Sequence, residues 1–121
     1  MVKNILIIED DQFFSELISK KLKDVGFKVF GAIDGEAGIE KVNDLNPDLI
    51  LLDLLLPKRD GFEVLSVIKG NPETAAIPVV ILSNLSSQQD IEKGLKLGAS
   101  DYLIKSQFDF DEVISKIKKF I

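Results

Sequence analysis

Short apolar runs punctuate the chain, and each one gives way to a polar residue. Ile5–Ile8 runs into Glu9-Asp10-Asp11, and Phe27–Ile33, with Val29 and Phe30 inside it, runs into Asp34-Gly35. Leu49–Leu52 runs into Asp53, Ile77–Leu82 into Ser83-Asn84, and Tyr102–Ile104 into Lys105. Continuous apolar runs of this length, bounded by turn residues, are the pattern of strands buried on both faces. Between them the period changes from a run to a stripe. Phe14, Leu17, Ile18, Leu22 and Val25 fall on one face of a helix that Gly26 stops. Ile39, Val42 and Leu45 predict a weaker helix from about Gly35 to Leu45, where Gly38 lowers the intrinsic propensity. Phe62, Leu65 and Ile68 predict a short helix over Gly61 to Lys69, ended by Gly70-Asn71-Pro72. Ile91, Leu95 and Leu97 carry another to Gly98, with Ser86 and Ser87 as N-cap candidates. Val113, Ile114, Ile117 and Phe120 or Ile121 form the inner face of the last helix. Asp109 is its expected N-cap, with Glu112 at N3 and Phe108 stapled onto Val113.

Five strands alternating with five helices at short spacing predict an α/β fold: a parallel sheet, helices on both faces, right-handed crossovers. In such a sheet the carboxyl ends of all strands lie along one edge, so residues remote in sequence converge there. Asp53 is the most informative of them. It interrupts the apolar stretch Leu49–Leu56, and an uncompensated charge in a buried strand costs several kcal/mol. It is either an acid at the wet end of its strand or an acid presented for chemistry.

Composition narrows the chemistry. The 121 residues suffice for one domain with one ordinary core, and 45% apolar with 29% charged residues fits a globular protein. A net charge of −5 argues against a nucleic-acid surface, which needs clustered Lys and Arg. The one basic cluster, Lys116, Lys118 and Lys119, reads as a helix-terminal charge bias. With no Cys there is no thiolate chemistry, and with no His the commonest general base and zinc ligand are missing. Any metal is therefore a hard, oxygen-seeking ion such as Mg²⁺. The N-terminal apolar run is too short for a signal peptide or a membrane span, and a cytoplasmic location is the default expectation.

The strand ends supply complementary groups: Glu9, Asp10 and Asp53 as acids, Ser83 as a hydroxyl, Lys105 as an ammonium. Three converging carboxylates repel one another, and a divalent cation removes that conflict. A hydroxyl and an ammonium beside them suit the oxygens of a phosphoryl group. Each residue alone also fits a solvated turn, a cap or a surface lysine. Four complementary strand ends together fit those bland roles poorly.

With these residues in place, the chain resembles the receiver domains of two-component response regulators along essentially all of its length. The matching stretches are Ile5–Asp11, Pro47–Asp53 with Leu56-Pro57 and Asp60-Gly61, Val79–Ser83, and Gly98–Lys105. The resemblance implies one receiver domain over residues 1–121, with a flavodoxin-like, doubly wound five-stranded sheet in the order 2-1-3-4-5. It implies that Asp53 accepts a phosphoryl group from the phosphohistidine of a sensor histidine kinase or phosphotransfer protein. Asp10 and Asp53 would ligate Mg²⁺, Glu9 would act mainly through water, and the backbone carbonyl of Leu55 would complete the protein's share. Ser83 and Lys105 would bind phosphoryl oxygens, and Tyr102 matches an aromatic position that swings inward on activation. Output would pass to a downstream protein partner through the last two helices and the strand between them, from a monomer or a phosphorylation-linked dimer.

Three positions depart from the family pattern. Ser106 follows Lys105 where Pro is usual, often after a cis peptide. A cis bond before a non-proline costs about 2.5–4 kcal/mol, so a trans bond and a rearranged Ser106-Gln107 loop are expected. Asn84 replaces the usual small residue after the hydroxyl, and Ser83 stands where Thr is commoner. The competing functions are a degenerate receiver that binds without phosphorylation and a Mg²⁺-dependent phosphohydrolase. The second is disfavoured because Asp53-Leu54-Leu55 lacks a second acid two residues after the nucleophile.

Overall fold

The computed structural model describes residues 1–121. Strands β1 (Asn4–Ile8), β2 (Lys28–Ala32), β3 (Leu49–Leu52), β4 (Val79–Ser83) and β5 (Asp101–Ile104) alternate with helices α1 (Gln12–Asp24), α2 (Gly35–Leu45), α3 (Gly61–Gly70), α4 (Gln88–Lys96) and α5 (Phe110–Lys118). All strand pairs are parallel and the order is β2-β1-β3-β4-β5, the flavodoxin-like arrangement. Because successive side chains leave a strand on opposite faces, each apolar run feeds two cores. Leu6, Ile8, Ile50, Leu52, Val79 and Ile81 meet α2 and α3 through Val42, Val64, Leu65 and Ile68. Ile5, Ile7, Leu49, Leu51, Val80 and Leu82 meet α1 and α5 through Ile18, Leu22, Val113, Ile114 and Ile117. The strand order reverses between β1 and β3, which opens a crevice at their carboxyl ends.

Every helix begins on a side-chain cap that satisfies an otherwise orphaned amide: Asp11, Asp34, Asp60, Ser87 and Asp109. At Asp109 the expected capping box with Glu112 is present. Of the two serines offered as caps for α4, it is Ser87 whose hydroxyl accepts the Asp90 amide, at 3.1 Å. The fourth strand starts later than the apolar run Ile77–Leu82 suggests. Pro78 has no N–H to give the ladder, although its carbonyl accepts the Ile50 amide, so the strand opens at Val79.

Three helix positions differ from the expected inner faces. Leu17 and Val25 of the α1 stripe are exposed, and so is Leu95 of α4. On α1 the buried stripe narrows to Ile18 and Leu22. On α4 only Gly94 is buried, because the helix approaches the sheet by its backbone. A Cβ at Gly94 would stand 2.6 Å from Ile81 Cδ1 and 3.1 Å from the Tyr102 ring. The last helix ends at Lys118, and Phe120 and Ile121 pack against the α1–α5 core from beyond it.

The loop after Asp53 is set by another close approach. The Gly61 amide donates to the Leu54 carbonyl at 2.9 Å, and a Cβ on Gly61 would meet Leu54 Cα at 2.4 Å and the Asp53 carbonyl oxygen at 2.5 Å. Both neighbours are backbone and cannot turn aside. Gly61→Ala is therefore expected to destabilise the chain by about 1–3 kcal/mol in urea unfolding, as overpacking does. Gly70 has open space around its Cβ position and no positive φ, so Gly70→Ala should be neutral or stabilising by up to about 1 kcal/mol.

Candidate functional site

Where β1 and β3 end, the backbone itself places two acids side by side. The Asp53 amide donates to the Ile8 carbonyl at 3.0 Å, and the Glu9 amide donates to the Ala32 carbonyl at 2.9 Å. Both residues are thus still tied to the sheet as their side chains enter the crevice. Glu9 is 4% exposed and Asp53 is 6% exposed, whereas Asp10 next to them lies open to solvent. One carboxylate oxygen from each of Glu9, Asp10 and Asp53 lies within 4.8 Å of the others.

Lys105, just past the end of β5, reaches across this group. Its Nζ lies 2.5 Å from Glu9 Oε1 and 3.1 Å from Asp53 Oδ2. The remaining carboxylate oxygens take backbone donors: Asp11 N–H to Glu9 Oε2 at 3.1 Å and Leu55 N–H to Asp53 Oδ1 at 3.2 Å. Burial pushes the Glu9 carboxyl up to about 7, with Asp53's charge adding to the rise and the Lys105 and Asp11 hydrogen bonds opposing it. Burial alone would lower the Lys105 ammonium, but the Glu9 hydrogen bond and the Asp53 charge outweigh it and leave it raised. The pair Glu9–Lys105 is a short charge-assisted hydrogen bond in a partly dry crevice.

The rim of the crevice on the β4 side joins two further side chains through the backbone of one residue, Leu85. Ser83 is fully buried, and its Oγ accepts the Leu85 N–H at 3.4 Å. The Tyr102 hydroxyl donates to the Leu85 carbonyl at 2.6 Å, with its ring inside the α2–α4 core. Burial pushes the Tyr102 phenol up to about 12, and the charges of Asp90 and Asp53 push the same way. The Lys105–Ser106 peptide is trans, as expected without proline, and Lys105–Gln107 forms a single 3₁₀ turn.

The sequence-chosen residues Glu9, Asp10, Asp53, Ser83 and Lys105 thus converge at one edge. Leu55 donates its backbone N–H to Asp53. Two participants escaped notice in the sequence: the Leu85 backbone, and Phe14, whose ring lies 4.4 Å from Lys105 Nζ. A backbone group carries no sequence signal, and Phe14 sits in an apolar stripe where an aromatic reads as core. As a ligand set, the two buried acids and one open one are all hard oxygen donors. They suit a cation that keeps several waters, such as Mg²⁺.

Comparison with known proteins agrees with this geometry. Residues 5–118 match the family model described as the response regulator receiver domain. The chain is 43% identical over 117 residues to the DNA-binding dual master transcriptional regulator RpaA of Synechocystis, covering 97% of this chain and 48% of that protein. It thus spans about half the length of this curated relative. Among solved structures, the Francisella response regulator 1452 receiver domain shares 31% identity at a TM-score of 0.90, over 98% of this chain and 95% of that one. The BeF3-activated N-terminal receiver domain of Klebsiella pneumoniae RstA shares 28% identity at a TM-score of 0.89, over 97% of each chain. Sheet order, the acid crevice with its lysine, and a family match over nearly every residue lead to one conclusion: the chain belongs to the response regulator receiver domain family of two-component systems.

Proposed function

We propose that the chain is a phosphorylation-controlled switch in which Asp53 takes a phosphoryl group from the phosphohistidine of a sensor histidine kinase or a phosphotransfer protein. The observation that carries this reading is Asp53 itself. Its carboxylate is held 3.1 Å from the Lys105 ammonium, inside a cluster of three acids at the β1/β3 crevice. A carboxylate attacks phosphorus without first losing a proton at neutral pH, so a site without His loses nothing. An Asp53 oxygen forms the new P–O bond as the donor's P–N bond breaks, and the protonated donor ring leaves as neutral imidazole. Lys105 offsets the negative charge spread over the transferring oxygens.

Asp10 and Asp53 would hold Mg²⁺, with Glu9 acting through water and the Leu55 carbonyl as a further ligand. The ion would supply positive charge to the phosphoryl oxygens and relieve the repulsion among the acids. The product is more negative than the Asp53 it replaces, which favours a shift of the Ser83 hydroxyl toward it. That shift breaks the Ser83–Leu85 hydrogen bond and loosens the residue whose carbonyl Tyr102 holds. A local charge change thereby biases Tyr102, α4 and α5. Output follows as protein–protein contact on the α4–β5–α5 face, from a monomer or a phosphorylation-linked dimer.

The DNA-binding activity of the Synechocystis regulator belongs to a protein about twice as long. The net charge of −5 here supports a domain that makes no nucleic-acid contact itself. No helix is long and apolar enough to cross a membrane, and we read the site of action as cytoplasmic, where such kinases present their phosphohistidine.

Incubation with acetyl phosphate and Mg²⁺ should add one hydroxylamine-labile phosphoryl group, seen by intact mass. Asp53→Asn should abolish it, and Lys105→Ala should slow it by about 10²-fold, the usual cost of removing one oxyanion-stabilising group. Labelling that is unchanged in Asp53→Asn would overturn the assignment.

The Glu9 carboxyl gives a second test, made with chelator and no metal. Its folded value of about 7 lies above the ordinary 4.5, so between these values the folded chain holds a proton that the unfolded chain has lost. Stability from this group is complete below the ordinary value and is lost as pH rises through about 7. Lys105 is raised from an already high value and contributes no slope in this range. Relative to Glu9→Gln, the wild-type melting temperature should therefore fall between about pH 5 and pH 8. Parallel curves for the two proteins would contradict the burial argument.

A further inference from the structure

The Lys105 ammonium has a third neighbour besides its two carboxylates. Its Nζ stands over the Phe14 ring, 4.4 Å from the centroid. An ammonium carries three N–H donors, and Glu9 and Asp53 accept two of them. With its side chain only 12% exposed, Lys105 has little access to water for the third. The negative face of an aromatic ring is a partner for that direction, and such contacts strengthen as water is excluded. Phe14 is itself braced: its ring packs on Phe110 of α5, with centroids 5.6 Å apart and the planes tilted by 54°.

We infer that Phe14 is a positioning residue for Lys105, its ring holding the ammonium over the Glu9–Asp53 pair so that Asp53 is phosphorylated at full rate. The inference rests on the phosphoacceptor reading given above. A lysine stem has four rotatable carbons and does not hold one position unaided. The two carboxylates hold the ammonium at 2.5 and 3.1 Å, and the ring borders it at 4.4 Å. An aliphatic residue at position 14 could fill the space but would leave an N–H facing carbon, which disfavours this placement. Phe110 ties the same ring to α5, so the lysine's position depends on a helix of the proposed output face.

The test separates ring chemistry from packing. Phe14 is replaced by Leu and, separately, by a ring-fluorinated phenylalanine of nearly the same shape and a less negative face. Two quantities are read on the full chain with Mg²⁺. One is the initial rate of acetyl phosphate labelling, and the other is the NMR shift of the Lys105 methylene next to Nζ. In the wild type that methylene should be moved upfield of other lysines by the ring. Phe14→Leu should lose this shift and label about five- to tenfold more slowly, the size of one desolvated cation–ring contact. The fluorinated variant should be slowed by an intermediate factor with unchanged thermal stability, which a packing role does not predict. Wild-type labelling rates in both variants, or a wild-type methylene without the ring shift, would overturn the inference. If the wild type takes up no phosphoryl group, the phosphoacceptor reading fails, and the methylene shift alone then decides whether Phe14 positions Lys105. Should Phe14→Leu fail to fold, the fluorinated variant decides the outcome.

Discussion

The Lys105 ammonium between Glu9 and Asp53 is the contact on which the site depends. Two acids almost wholly removed from water would each carry a desolvation cost of several kcal/mol without a counter-charge. Lys105 meets both, at 2.5 and 3.1 Å, and it can do so only because β1, β3 and β5 end along the same edge. One ammonium against three carboxylates leaves the cluster short of positive charge. Burial raises the Glu9 carboxyl most, and the neighbouring Asp53 charge adds to the rise. A site strained toward more positive charge is suited to a hard cation and to the transfer of an anionic group whose charge that cation shares.

In the proposed switch, the same edge carries a local event to the surface. Ser83 and Tyr102 come from different strands, yet both bind the backbone of Leu85, one at its N–H and the other at its carbonyl. Moving either hydroxyl changes what the other one holds. The element that follows is loosely fastened: α4 buries only Gly94, and Lys93 contacts the Phe62 ring of α3 at 4.3 Å across its surface. Elements with few buried apolar contacts open at low free energy, which suits a helix that has to shift. By contrast, the loop carrying Asp53 is fixed, since Gly61 packs directly on the Leu54 backbone. Asp53 thus sits on a tightly packed loop, whereas α4 is lightly packed.

Much of this could be read in the sequence for a simple reason. Apolar runs buried on both faces are unmistakable, and polar residues at their ends are few enough to be compared. Glu9, Asp10, Asp53, Ser83 and Lys105 were found this way, and the structure brings them together. The misreadings arose where the backbone rather than the side-chain pattern decides packing. Leu95 follows the helical period but is exposed, because α4 meets the sheet through the bare backbone of Gly94. Leu17 and Val25 extend the α1 stripe past the width that the sheet covers. Ser86 and Ser87 look alike as caps until the chain direction selects one. Phe14 packs against the α1–α5 core as its spacing predicts, and its contact with Lys105 is a tertiary fact with no signature in the chain.

Amide NMR of the full chain, titrated with beryllofluoride in the presence of Mg²⁺, tests the central claim most directly. Beryllofluoride stands in for a phosphoryl group on a carboxylate, so it reports both the acceptor and the path from it. The account predicts shifts at Asp53 and Lys105 together with Leu85, Tyr102 and α5, all absent in Asp53→Asn. Shifts that stop at the acids and leave Leu85 and Tyr102 unmoved, or that persist without Asp53, would contradict it.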